Sequence, residues 1–294
     1  MMKTAVMIVL SALGIGAFAG EEVKETRNAV ADGLVNIINV RGDVEVVGWD
    51  RDEIRIEGEL DDRAEELLFE VKGNRARIEV VLPRGSNNWG DGSDLVISVP
   101  LMSRVDFEGV STDLKVEDIK GGLRAKVVSG DVWVSGIANQ IILNTVSGEI
   151  EVEDSEGERL AFSTVSGEIE ADVRGDSISF DAVSGDIEAR MGPFSDLTAQ
   201  SISGDIDLDG ELLGNGRIDV SSVSADIRLV LKDPVHADVR IETGPGGDID
   251  NRISAAAPEK SMIGSRKLKT VLGNGSGMIN MKTVSGDIRI ASDD

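Results

Sequence analysis

The same five-residue phrase returns every 18 or 19 residues through the middle of the chain. It reads Val128-Ser-Gly-Asp-Val132, Val146-Ser-Gly-Glu-Ile150, Val165-Ser-Gly-Glu-Ile169, Val183-Ser-Gly-Asp-Ile187 and Ile202-Ser-Gly-Asp-Ile206, and comes back as Val284-Ser-Gly-Asp-Ile288. Val110-Ser-Thr-Asp-Leu114 and Val223-Ser-Ala-Asp-Ile227 are variants. From Thr112 through Gly130, Gly148, Gly167, Gly185 and Gly204 the spacings are 18, 18, 19, 18 and 19, and Ala225 follows after 21. A fixed period of this length marks units that stack on one another and close no core of their own.

Apolar residues keep fixed offsets from each repeat glycine. Two after it stand Val132, Ile150, Ile169, Ile187, Ile206, Ile227 and Ile288, and four after it Val134, Val152, Ala171, Ala189, Leu208, Leu229 and Ile290. Period two is the signature of a strand with one buried face. Val128, Val146, Val165, Val183, Ile202, Val223 and Val284, two before the glycine, share that parity and are expected to face inward as well. A second inward set lies five and seven before the glycine, for example Phe162 with Leu160 and Phe180 with Ile178. Its parity is odd relative to the first, so the chain must bend between them, near Thr145, Thr164, Ala182, Ser201, Ser222 and Thr283. The glycine itself has two readings, a tight turn with positive φ or an inward residue on a continuous strand. Thr112 and Ala225 in its place favour the second, since a β-branched residue is poor at positive φ.

The expected fold is all-β: a single-domain β-solenoid of ~18–21-residue turns with parallel stacked strands. Residues 34–50 carry the same offsets about Gly42 and form a first turn. Between Ile54 and Pro100 the period lapses into an irregular β-rich portion, with strands expected at 53–60, 67–72, 75–82 and 94–99 and turns at Gly73-Asn74 and Gly85–Gly92. Asp61–Leu68 could form one helical turn. The domain reading is therefore 1–19 as a leader, 20–100 as first turn plus irregular part, and 101–294 as regular solenoid. An insertion is expected at about 251–277, a degenerate turn at Gly244-Pro-Gly-Gly-Asp-Ile249, and an edge protected by Asp293-Asp294.

Lys3, an apolar stretch from Ala5 and Ala17-Phe18-Ala19 together read as a signal peptide cut after Ala19. That run is short for a membrane span, and no later stretch is apolar enough to be one. The product is expected to be exported, to the periplasm or to the cell surface, or secreted. With 54 acids, 30 bases and a net charge of −24, nucleic acid is a poor partner. With no Cys, disulfides, thiolate metal sites and attachment of a lipid through Cys are excluded, and one His rules out a multi-His metal site within the chain.

Gly42-Asp43-Val44-Glu45-Val46 followed by Gly48-Trp49-Asp50, and then the repeated Thr-Val-Ser-Gly-acid-Ile, resembles the bacterial putative-adhesin β-strand-repeat family, a domain of unknown function. The resemblance runs from about Leu34 to Ile290. It implies an exported β-solenoid of the cell envelope, and it implies no catalytic residues.

The outward positions are dominated by acids. On the turns anchored at Gly148, Gly167, Gly185 and Gly204, offset +1 holds Glu149, Glu168, Asp186 and Asp205, and offset +3 holds Glu151, Glu170, Glu188 and Asp207. Offset +5 holds Glu153, Asp172, Arg190 and Asp209. In-register stacking would make a carboxylate wall, where charges ~4.8 Å apart repel by ~0.9 kcal/mol even in water. The residues at +1 and +3 are the candidate metal ligands, because Ca²⁺ takes carboxylate oxygens. A solvated face screened by salt is the other reading, and no cofactor beyond such an ion is expected.

Ser129, Ser147, Ser166, Ser184, Ser203, Ser224 and Ser285 form a second outward row. They lack a base, since His236 lies off the repeat, and read as a polar ladder. A carbohydrate-active β-helix enzyme would want stacking aromatics. The chain has no Tyr and only Trp49, Trp89 and Trp133, the last expected outward beside the wall. The expected function is thus a non-enzymatic envelope surface for adhesion or scaffolding toward an unknown partner. A cation-dependent binding module and, further off, the carbohydrate enzyme are the alternatives.

Overall fold

Alternating side chains and corner glycines wind the chain into a coil, here called a stack of rungs, each named by its corner residue. The computed structural model describes residues 20–83, 91–262 and 264–293. Its strands hydrogen-bond into one continuous sheet system around one aliphatic core that reaches from Val35 to Ile290 and crosses residue 100 without a break. The Gly42 rung (Leu34–Trp49) pairs in parallel with the Thr112 rung (Arg104–Glu117), Gly42 opposite Thr112. The Gly130, Gly148, Gly167, Gly185, Gly204 and Ala225 rungs follow in register on both sides of the corner, with slips confined to the far loops: Ile150 opposite Ile169, Ile169 opposite Ile187, Ile187 opposite Ile206. Like residues therefore stack on like, and Phe162 meets Phe180 with ring centroids 5.4 Å apart.

The residues two and four after the corner, and five and seven before it, are all buried, as the spacing predicts. The residue two before the corner is not. Val110, Val128, Val146, Val165, Val183, Ile202, Val223 and Val284 are 42–53% exposed and form an aliphatic row on the outside. The inward parity of the strand before the corner runs on to the residue three before it, so Thr145, Thr164, Ala182, Ser201, Ser222 and Thr283 are buried in its stead. The bend follows them, at Ser-Gly, rather than falling on them.

That correction carries the glycine with it. Gly148, Gly167, Gly185 and Gly204 have φ of +142°, +152°, +151° and +127°, a region that side-chain-bearing residues avoid. Each is also pressed against the backbone of the rung before it: a Cβ on Gly185 would collide with the Gly167 carbonyl. Thr112 and Ala225 escape because their rungs turn the same corner without positive φ.

Both ends depart from sequence order. The irregular strands Glu53–Glu59, Glu66–Lys72, Arg75–Val81 and Asp94–Pro100 match the expected ones within two residues, and Gly73-Asn74 is a turn. Arg75–Val81 and Asp94–Pro100 form an extra rung beneath Gly42, edged by antiparallel strands ending in Glu22–Asn28. Asp61–Leu68 holds no helix but a turn leading into a strand, because Leu68 and Phe69 are drawn into pairing with Arg75–Val81. At the other end, the Gly286 rung (Gly277–Ser285 and Ile288–Asp293) slots between the Ala225 rung and the rung made by Ala237–Thr243 and Ile249–Arg252. Asp293 thus belongs to a strand inside the stack and not to its last one, and it pairs with Lys232 on one side only. The edge is covered by Arg266–Val271, which runs antiparallel to Ala237–Thr243. The leader with its cleavage motif, Trp89, most of the Gly85–Gly92 turn and Asp294 lie outside the described residues.

Candidate functional site: an acidic sheet face

The face on which the acids lie begins at the corner. There the +1 carboxylates do more than face water. The N–H of the +1 residue has no carbonyl partner in the ladder, and an Asp of the preceding rung accepts from it. Asp131 N–H donates to Asp113 (2.9 Å), Glu149 N–H to Asp131 (2.8 Å), Asp205 N–H to Asp186 (2.7 Å), Asp226 N–H to Asp205 (3.0 Å) and Asp287 N–H to Asp226 (2.7 Å). Charge-assisted bonds of this kind are roughly twice as strong as neutral ones. Asp186 and Asp205 of the expected ligand set are therefore already engaged. The sequence signal for this ladder was the recurrent short acid directly after the glycine.

The +3 row stacks as expected, and the +5 row does so from Asp172 on, but the register slips after Val152 and Glu153 has no place opposite Asp172. Glu151 stands opposite Glu170, Glu170 opposite Glu188 and Glu188 opposite Asp207, while Asp172 faces Arg190 and Arg190 faces Asp209. Trp133 stands opposite Glu151 at one end, under the Lys115 ammonium at 5.0 Å. Arg228 closes the other end by pairing with Asp207 and, at 3.7 Å, with Asp209. Arg190 pairs with Glu188 at 2.9 Å. Between these caps Glu149, Glu151, Glu168 and Glu170 form no ion pair among the described residues. Partial burial, reinforced by Glu153, Glu170 and Glu149, pushes the Glu151 carboxyl up, against a smaller opposing pull from the Trp133 indole N–H. Burial, then Glu149 and Asp186, push Glu168 up as well. Among the described residues no three carboxylate or imidazole groups converge as a ready-made metal site. The serine row is exposed, and exposed His236 accepts a long hydrogen bond from Asn274 N–H through Nδ1.

These shifts set a pH dependence. A carboxyl whose folded pKa is raised favours folding while protonated; its contribution is full below about pH 4.3, the unfolded Glu value, and is lost as pH rises through the raised value. Asp61 works in the opposite direction. Hydrogen-bonded by Arg41 (Nη2–Oδ1 3.0 Å) in the N-terminal cap, it is lowered to about 2, so its contribution is present above the unfolded Asp value and lost in strong acid. The melting temperature of the Glu151→Gln, Glu168→Gln double variant should therefore fall less than wild type between about pH 4 and 6. Parallel curves would show that the wall stores no repulsion.

The family model described as Toastrack DUF4097 matches residues 35–291. Similar solved structures include a putative lipid binding protein from Parabacteroides distasonis ATCC 8503, 16% identical, covering 92% of this chain and 97% of that one with a TM-score of 0.49. A putative adhesin from Bacteroides fragilis NCTC 9343 is 12% identical over 92% and 97% of the two chains, with a TM-score of 0.44. No curated protein matches the chain.

Proposed function

Since the chain belongs to the Toastrack DUF4097 family, we propose that it is an exported, non-enzymatic envelope solenoid whose acidic sheet is an adhesin-like or scaffolding interaction surface. The observation that carries this reading is the in-register stack Glu151–Glu170–Glu188–Asp207, with Glu151 and Glu168 held above their ordinary values. Such a face gains by meeting positive charge, and a flat sheet offers many weak contacts in place of one cleft. Among the described residues no helix is long and apolar enough to cross a membrane.

The repulsion can be relieved by a cationic partner directly or by divalent ions bridging neighbouring rungs, and one experiment separates the two. Envelope extract is passed over immobilised protein, wild type against the Glu151→Gln, Glu170→Gln, Glu188→Gln variant. Retention should fall with salt and be several-fold weaker in the variant. Equal retention would remove the acidic face from the reading. For the cation arm, millimolar Ca²⁺ should raise the wild-type melting temperature more than NaCl of equal ionic strength. The variant should melt higher than wild type without calcium and respond less to it. Equal shifts with the two salts would leave direct charge pairing alone.

A further inference from the structure

The aliphatic row on the opposite strand of each rung is left unexplained by the acidic face. Eight side chains, from Val110 to Val284, stack in register at about half exposure, a continuous apolar strip ~34 Å long at ~4.8 Å per rung. Scattered surface valines mean nothing, but a contiguous strip of this kind marks a contact surface. We propose that this face is where two copies of the chain pack together, sheet on sheet, about a two-fold axis parallel to the strands.

Charge and area point to a second copy. On the same eight rungs the two outward rows beside the strip, four and six before the corner, carry Glu108, Lys126, Asp181 and Lys282 and then Asp106, Arg124 and Asp219. The face thus sums to a single negative charge on a chain of −24, so two copies of it repel little. Three rows ~6.7 Å apart on eight rungs make a plane of roughly 38 by 20 Å, close to the ~800 Å² per partner of an ordinary stable interface.

The same charges fix the orientation. With the axis parallel to the strands, each row meets its own row with the rungs reversed. Glu108 then faces Lys282 of the second copy, Arg124 faces Asp219, Lys126 faces Ser221 and Asp181 faces Ser163, and no like charges meet. Asp219 also holds Arg217 within its own chain. With the axis along the stack, over the middle row, Lys126 would meet Lys126, Asp181 Asp181 and Glu108 Glu108. Like charges placed opposite one another disfavour that pairing.

Sedimentation equilibrium of the purified protein from about 1 to 100 µM measures the association. Wild type should dimerise. The Val165→Asp, Val183→Asp variant places charge on exposed central positions; it should melt near wild type and dissociate at least ~100-fold more readily. Glu108→Lys should raise the dissociation constant about tenfold at low salt, and adding Lys282→Glu should restore it, because each dimer holds that pair twice. A wild type that stays monomeric overturns the proposal, as does a dimer indifferent to the two aspartates. Failure of Lys282→Glu to rescue Glu108→Lys overturns the reversed-rung pairing.

Discussion

Replacing Ile169 by Asp is expected to unfold the central rungs, while Ser166→Asp in the same rung leaves the melting temperature almost unmoved. Ile169 is fully buried between Ile150 and Ile187, with apolar neighbours above and below and no cation in reach. An unpaired carboxylate there should cost about 4–5 kcal/mol or more, a large part of the stability of an ordinary domain. Ser166 is exposed, stacked between Ser147 and Ser184, and its replacement adds one charge to a wet surface. That should cost about 0.5 kcal/mol or less. Urea denaturation of the two variants beside wild type gives the comparison; equal losses would mean the two faces are misassigned.

Gly185→Ala is the second large effect. The residue combines a φ of +151° with a backbone carbonyl where its Cβ would go, so an added methyl meets conformational strain and collision together. A loss of about 2–4 kcal/mol is expected. Gly214→Ala is the control: open space surrounds it, and the change should stay within about 0.5 kcal/mol. A Gly185→Ala protein as stable as the control would show that the corner column tolerates side chains wherever they fall, and not only at Thr112 and Ala225.

The contrast between Ile169 and Val165 shows what was legible. Positions on either side of the corner follow period two, and each half could be read separately with confidence in its face. Joining them required knowing where the chain turns, and a turn of one residue reverses parity. Period two alone places Val165 on the strand after the corner; it belongs to the strand before it, and its row faces outward. The row from Thr145 to Thr283 stands where the two parities clash, which is why the spacing puts the bend there. Thr145 and Thr164 in fact satisfy each other across rungs at 3.1 Å. At the acidic face the stacking of Glu151, Glu170 and Glu188 was legible from spacing alone. The bonds that Asp131, Asp186 and Asp205 accept from the next rung's amide were not, because they depend on reach: the shorter Asp accepts them, and for Glu149 and Glu168 none forms.

Spatial order was the least legible property, since repeats that resemble one another do not say which stacks on which. The Gly286 rung fills the place between the Ala225 rung and the strands Ala237–Thr243 and Ile249–Arg252, though it comes after both in the chain. A ribosome delivers residues in the opposite order to the one this end needs. The early rungs can zip up as they emerge. Residues 237–252 have to wait with their ladder groups open until 277–293 arrive to fill the gap. The Gly286 rung is thus a keystone: this part of the stack holds together only once residues 277–293 have been made.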